Sequence, residues 1–175
     1  MHPNIAARFT KLERQRNAFL EQLVALSEAQ RQFKVIPETW CALEVAEHIV
    51  TVEVGLSKPF LNGAKLEAVT LRSQVVGWLL IAGLNTPARV KTPSKTANPQ
   101  RIPTLEDVQE RWQNHHARMC AHLEPLPATA PSGAAMNHPM VKPMTLVQSL
   151  TFFTAHTRHH LYQLERIRRS DGFPG

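Results

Sequence analysis

The sequence predicts an all-α protein, a four-helix bundle whose helices are joined by long proline-rich connections. In four long segments the apolar residues recur every three or four positions, which is the spacing of a helix with one face in a core. Two stretches rich in proline separate some of these segments, and proline does not continue a helix. No segment has the alternation typical of a strand. An antiparallel bundle with crossover connections is the architecture we expect.

The N-terminal third of the chain predicts two helices. Residues Asn4 to Phe33 carry an apolar stripe and no helix breaker, so they form the first. Pro37 then interrupts the pattern, and a second helix is predicted from about Cys41 to Ser57, ending before Pro59. The apolar residues of this second helix cover two faces, as expected of a helix that is packed on both sides.

The rest of the chain predicts two more principal helices and one less regular one. The less regular helix spans Leu71 to Leu84, and a principal helix follows at Thr104 to Leu123, opening on an imperfect capping box. The last helix opens on a complete capping box, Thr145 to Gln148. The proline-rich connections lie at Asn85 to Pro103 and at Pro125 to Pro143. Long loops in compact domains are often functional, so the first is a candidate lid or site wall.

The composition indicates one globular domain that covers residues 1–175, with about the last five residues (171–175) as a flexible tail. A chain of 175 residues with 43% hydrophobic residues is large enough for a single sizeable core. Two cysteines, Cys41 and Cys120, make no disulfide framework. The N-terminus lacks the pattern of a signal peptide, and the longest apolar run, Val75 to Leu84, is too short to span a bilayer. We therefore expect a cytoplasmic protein without a membrane partner.

The positive charge of the chain raises the question of nucleic-acid binding. The formal net charge is +6 and the isoelectric point is near 9.8. Much of the excess lies in Arg158, Arg166, Arg168 and Arg169, in the last predicted helix. Arginines near a helix C-terminus complement the exposed carbonyls and the helix dipole, and no basic and aromatic platform accompanies them. We expect a solvated helix end and no nucleic-acid partner.

The last predicted helix carries the most informative pattern, a pair of histidines four residues apart. Four residues make about one helical turn, so His156 and His160 stack on one face within reach of a single ion. At roughly 100° per residue, His160 lies about 40° from the centre of the apolar stripe and His156 about 80°. His159 lies about 140° away and is expected to lean toward solvent. Burying two imidazoles is costly unless they are bound, and we interpret the pair as metal ligands.

A third candidate ligand, His48, lies on the second predicted helix. A lone histidine is more often a core or boundary residue, but sites in bundles take side chains from facing helices. Three neutral imidazoles leave an ion with an open position, which is the catalytic rather than the structural arrangement. Zinc, nickel and iron all accept imidazole, so the ligand type does not select the metal. The open position can activate water or bind a substrate thiol as thiolate.

Two segments of the chain resemble the DinB-like (YfiT-like) superfamily of metal-binding four-helix bundle proteins. In Trp40 to His48 a tryptophan leads a helix that carries one histidine. In His156 to Gln163 a His-x-x-x-His pattern is followed three residues later by glutamine. The order and spacing of these motifs cover essentially the whole chain, and the positions that match are His48, His156, His160 and Gln163.

The resemblance implies a divalent metal ion held by His48, His156 and His160, often in a homodimer. Characterised members include metal-dependent transferases and isomerases that use low-molecular-weight thiols, and hydrolase activity has been proposed for others. One departure concerns Leu161-Tyr162, which stands where members often have arginine-glycine before the glutamine. The ligands are unaffected, but the activity of a single subfamily does not transfer directly.

The other polar residues have plainer interpretations. Glu44 is one turn before His48 and is a candidate to orient its ring, although a solvated carboxylate is the simpler role. Glu47 and Glu53 are candidates for a general base, but the helical wheel turns both away from His48, so we expect them in solvent. We expect Gln163 to make a structural hydrogen bond between helices. We expect surface positions for His115, His116, His122 and His138, and core positions for Trp40, Trp78 and Trp112.

The hypothesis that follows is a metal-dependent enzyme acting on a small molecule. A divalent ion (zinc, nickel or iron) on His48, His156 and His160 would activate a low-molecular-weight thiol, as in an S-transferase, or water, as in a hydrolase, against a small electrophile. The alternative is a non-catalytic metal-binding or sensing module that uses the same ligands. A third possibility is a helical interaction protein whose histidines only fill polar gaps.

Overall fold

The computed structural model describes residues 1–87 and 97–175, and the fold of these residues is mostly helical. Within them the helices are α1 (Pro3–Val24), α2 (Glu28–Gln32), α3 (Ala42–Leu61), α4 (Leu71–Leu84), α5 (Leu105–Leu123) and α6 (Leu146–Arg168). A single 3₁₀ turn at Ala130–Ser132 and two short strands, β1 (Ala134–His138) and β2 (Lys142–Thr145), lie between α5 and α6. The helical class predicted from the sequence is therefore confirmed. The part of the Asn85–Pro103 connection from 88 to 96 lies outside the described residues.

The prediction of one helix over Asn4 to Phe33 was wrong, because the chain forms two helices there. Helix α1 ends at Val24, and Ser27 begins α2 with its side chain accepting from the backbone N–H of Gln30 at 3.3 Å. The Gln30 side chain accepts in return from the Ser27 N–H at 2.8 Å. This reciprocal cap satisfies two backbone donors at a new helix start, which favours the break.

Helix α3 extends past Pro59, so the prediction that it ends before this residue was also wrong. The proline lies in the last turn, where it removes one backbone hydrogen bond but no long run of helix. The Ser57 hydroxyl donates to the carbonyl of Glu53 at 2.6 Å. The predicted starts of α5 and α6 are confirmed, with Thr104 and Thr145 as the N-caps.

The hairpin of β1 and β2 was not predicted. The strands pair antiparallel, with Met136 opposite Met144 and His138 opposite Lys142. Lys142 has a φ of 67°, which is the left-handed conformation of a tight turn. Both strands are short, and β2 contains Pro143, so the sequence lacks the alternating and β-branched pattern by which strands are recognised.

The helices pack so that α6 is enclosed by its neighbours. Helix α6 contacts α1, α3 and α4, while α5 contacts α1 and α3. A Cβ on Gly77 of α4 would lie 2.9 Å from the side-chain nitrogen of Gln148, so glycine lets α4 approach α6 without a shift of that side chain. Of the three tryptophans, Trp112 is fully buried and Trp40 is partly buried, whereas Trp78 is 42% exposed and is not a core residue.

Candidate metal centre

The rings of His48, His156 and His160 lie together between α3 and α6. One ring nitrogen from each lies within 4.8 Å of the others. Each of the three residues is at least 92% buried. Nε2 of His156 lies 3.1 Å from Nε2 of His160. Two ligands at about 2.0–2.1 Å from a tetrahedral zinc ion would be separated by roughly 3.3 Å, so this pair is close to the spacing that an ion needs.

Acceptors outside the cluster fix which nitrogen of two rings carries the proton. Nδ1 of His48 donates to the carbonyl of Ala97 at 2.7 Å, and Nδ1 of His160 donates to Oε1 of Gln163 at 2.8 Å. Each ring therefore has its lone pair on Nε2. A metal-ligating histidine typically donates its other N–H to a carbonyl or a carboxylate in this way. The donor set fits a divalent ion without rearrangement of these two rings' hydrogen bonds.

The three imidazoles are held in the neutral form that a metal ion requires. Burial lowers the pKa of His48, with a partial offset from the hydrogen bond to Ala97. Burial, together with repulsion from His160 and His48, places the pKa of His156 well below its ordinary value. The same two effects, with His48 as the main neighbour, lower the pKa of His160 to about 3. Since protons compete with metals for imidazole nitrogen, these shifts favour metal binding at neutral pH.

Aromatic rings form two walls of the cluster. The indole of Trp40 lies 4.9 Å from the ring of His48, measured between centroids. Phe152 stacks on His156 at 5.5 Å with an interplanar angle of 16°. His138, at the end of β1, lies 5.0 Å from Phe152 and is buried, so the expectation that it is exposed was wrong. Burial lowers its pKa to about 4. Since Phe152 intervenes, His138 borders the cluster without joining it.

Three further expectations about the neighbourhood of the cluster were wrong. Glu44 is 8% exposed and does not orient His48, because it accepts from the Lys34 ammonium at 2.9 Å and from the Cys41 N–H at 2.9 Å. Gln163 bonds His160 within its own helix instead of linking two helices. His159 is buried, and its Nδ1 donates to the carbonyl of Thr86 at 3.3 Å.

A second buried cluster, which we call the Glu53 network, was missed. It consists of Glu13, Glu53, Trp112, His116 and Thr157, from four helices. The Glu53 carboxylate accepts from Trp112 Nε1 at 2.9 Å and from His116 Nε2 at 2.8 Å. The Thr157 hydroxyl donates to Oε1 of Glu53 at 3.4 Å, and Nδ1 of His116 donates to Glu13. The solvated positions expected for Glu53 and His116 were therefore wrong.

The surroundings of His116 favour its protonated form. Burial alone lowers the pKa of its ring, but the Coulombic attraction of Glu53 and the hydrogen bonds to Glu13 and Glu53 outweigh it and raise that pKa. The hydrogen bond from His116 is the main cause of the lowered pKa of Glu13. His115, the neighbouring residue, is also buried, contrary to expectation, and burial lowers its pKa to about 4. Glu47 is half-buried and pairs with Arg111 at 2.6 Å.

The fold is mostly helical, and three neutral imidazoles from two of its helices converge on one point. These features define a class of helical proteins with a candidate site for a divalent metal ion. The family model of the DinB superfamily matches residues 11–164. The chain therefore belongs to the DinB superfamily, as the two histidine segments predict. No curated protein and no solved structure matches it significantly. No helix among the described residues is both long enough and apolar enough to cross a membrane.

Proposed function

We propose that this DinB-superfamily protein is a metal-dependent enzyme in which His48, His156 and His160 hold one divalent ion. The observation that carries the proposal is the paired orientation of His48 and His160, whose outer nitrogens are engaged by Ala97 and Gln163. A polar gap filled by histidines needs no such arrangement. We also infer that α1, α3, α5 and α6 form the four-helix bundle of the family.

The arrangement supports nucleophilic chemistry on a small electrophile. A bound divalent ion would lower the pKa of a low-molecular-weight thiol or of water at its open position and so supply the nucleophile. The chain holds the three rings neutral, and Trp40 and Phe152 provide apolar walls beside them. We propose S-transfer from a low-molecular-weight thiol or hydrolysis as the reaction. The protein's own residues would position and desolvate the reactant.

Metal analysis of protein purified without a histidine tag tests the ligand set. We expect about one equivalent of zinc, nickel or iron in the natural protein and a loss of at least tenfold in affinity for His160→Ala. His159→Ala is the matched control, since it removes an adjacent buried imidazole whose Nδ1 bonds Thr86 instead of facing the cluster. Full occupancy in His160→Ala, or equal losses in both variants, would contradict the assignment.

Turnover measurements separate an enzyme from a metal-binding module. The metal-loaded protein is mixed with an alkylating electrophile in the presence or absence of bacillithiol, mycothiol or glutathione. Thiol-dependent consumption above the uncatalysed rate indicates transfer, whereas consumption without thiol indicates hydrolysis. Absence of both, together with a metal site closed by four protein ligands in a spectroscopic measurement, would favour a non-catalytic module.

Several expectations from the sequence stay predictions. They are the single domain over residues 1–175, the cytoplasmic location, the small-molecule substrate and the homodimer. Sedimentation at micromolar concentration tests the last, and a monomeric mass would contradict it.

A further inference from the structure

A basic pocket lies between α1 and α6, at the C-terminal end of α4. Its volume is about 170 Å³, and its polar lining residues are Arg8, Lys11, Asn85, Thr151, Thr154 and Arg158. The contributions from α1 are three residues apart, and those from α6 are separated by three and four, so each set lies along one face of its helix. The pocket is therefore formed by two facing helix surfaces and is not an accident of a loop.

The charge of this pocket is uncompensated. None of its lining residues is acidic, and across residues 1–87 and 97–175 no ion pair joins its three cations to a carboxylate. Neutral groups hold the two arginines instead. Arg8 donates to Oγ1 of Thr151 at 2.8 Å, and Arg158 donates to Oδ1 of Asn85 at 3.2 Å. Three like charges around one cavity repel one another, and a bound anion would offset that repulsion.

The remaining hydrogen-bond donors suit an anion with several oxygens. The Thr151 and Thr154 hydroxyls donate to carbonyls of their own helix at 2.7 and 2.9 Å. The outer N–H groups of Arg8 and Arg158 and the ammonium of Lys11 therefore supply the contacts to a ligand. Guanidinium forks and a lysine ammonium are typical ligands for phosphate. The cavity is smaller than the roughly 300–1,000 Å³ of sites for drug-sized molecules, so it suits a small ligand.

We propose that this basic pocket binds the phosphate group of a small soluble anion, either inorganic phosphate or a phosphate monoester. The site is separate from the histidine cluster and does not depend on the proposed function. Thr154 and Arg158 are each two residues from a histidine of the cluster. Two residues correspond to a rotation of about 200° around the helix axis, so these side chains point away from the histidines. Metal and anion would therefore bind on opposite sides of α6.

Calorimetric titration of inorganic phosphate into metal-free protein in Tris chloride, at constant ionic strength, tests the proposal. We expect one saturable site, and a loss of affinity of about tenfold or more for Lys11→Gln and for Arg158→Gln. Arg72→Gln is the matched control, because it removes the same charge about 20 Å away at the other end of α4. Circular dichroism and melting temperature establish that each variant is folded.

Two further measurements identify the ligand and test whether phosphate binds at the histidine cluster instead of in the basic pocket. His160→Ala must bind phosphate as the natural protein does, since failure of the metal site leaves this pocket intact. Glycerol 3-phosphate tests a monoester, and phosphatidylcholine vesicles with phosphatidic acid test a lipid headgroup. The proposal is overturned by no saturable phosphate binding, by equal losses in Arg72→Gln and Lys11→Gln, or by binding to vesicles alone.

Discussion

His160 and His116 are both deeply buried, at 6% and 1% exposure, yet their pKa values are shifted in opposite directions. Burial lowers the pKa of both rings. The difference comes from what faces them: His160 faces two other imidazoles and the amide of Gln163, whereas His116 donates to two carboxylates. The two carboxylates, and not a shallower burial, therefore account for the raised pKa of His116.

The comparison separates a site that can accept a ligand from one that is complete. In the Glu53 network both nitrogens of His116 have partners, and two carboxylates balance the charges of His116 and Arg16, the latter 3.2 Å from Glu13. In the histidine cluster, His48 and His160 direct one lone pair each at their neighbours. We infer that the first group holds helices together and that the second is kept for a metal ion.

The largest expected effect comes from removing the centre of the Glu53 network. Glu53→Ala leaves the donors of His116 and Trp112 without their acceptor in the core, and breaking a buried charged pair costs about 3–5 kcal/mol. We expect a loss of this size in the free energy of unfolding by urea, measured on metal-free protein. Glu47→Ala on the same helix removes a half-buried ion pair and should cost about 1 kcal/mol or less. Equal costs would show that Glu53 is not the centre of the network.

The second effect concerns the orientation of a proposed ligand. Gln163→Leu removes the acceptor of His160 Nδ1 while keeping a side chain of similar size on α6. Loss of such a partner typically lowers metal affinity by about 10–100-fold. Competition with a fluorescent zinc chelator measures it, and Gln113→Leu, on the exposed side of α5, is the control. Unchanged affinity in Gln163→Leu would remove this residue from the site.

The histidine pair on α6 could be predicted from the sequence, whereas the Glu53 network could not, because only the first depends on the geometry of a single helix. Histidines four residues apart are neighbours on any helix, so the closeness of His156 and His160 needs no knowledge of the fold. Which face meets solvent depends on the other helices. Helix α6 is buried on most of its circumference. The face on which the helical wheel places His159 is therefore covered by other parts of the protein and is not in contact with solvent.

The same limit explains why Glu53 and His116 were misplaced. The apolar residues of α3 cover two faces, and Glu53 lies where α3 meets α5 and α6, with His116 linking it to Glu13 on α1. The residues that donate hydrogen bonds to its buried carboxylate are 59 to 104 positions away in sequence, and no local pattern reports them. The start of α6 was predictable because its capping box is contained in four adjacent residues.

The smallest expected effect, and the most direct test of the comparison, is the pH dependence of stability in two adjacent histidines. The pKa of His116 is raised in the folded state, so its stabilising charge is fully present below the unfolded value of about 6.5. That contribution is lost as the pH rises through the folded-state pKa. The folded-state pKa of His115 is lowered to about 4, so between this value and about pH 6.5 only the unfolded state holds a proton on this ring, and that proton is lost as the pH rises through about 6.5. The titratable groups that face His116 are Glu13 on α1, whose pKa is lowered mainly by the hydrogen bond from His116, and Glu53 on α3, which accepts from Nε2 of the ring.

Urea unfolding of metal-free protein between pH 6 and 9 measures this contribution. The difference in unfolding free energy between the natural protein and His116→Gln should shrink as the pH rises, because the charge that distinguishes them disappears. For His115→Gln the difference should instead rise up to about pH 7.5, as the unfolded-state imidazole loses its proton, and stay constant above that pH. Five other histidines have lowered pKa values, and their contributions cancel in both comparisons because the natural protein and both variants carry them: His48, His138, His156, His159 and His160. Parallel profiles for natural protein and His116→Gln would mean that His116 is neutral in the fold, and the contrast between the two clusters would be lost.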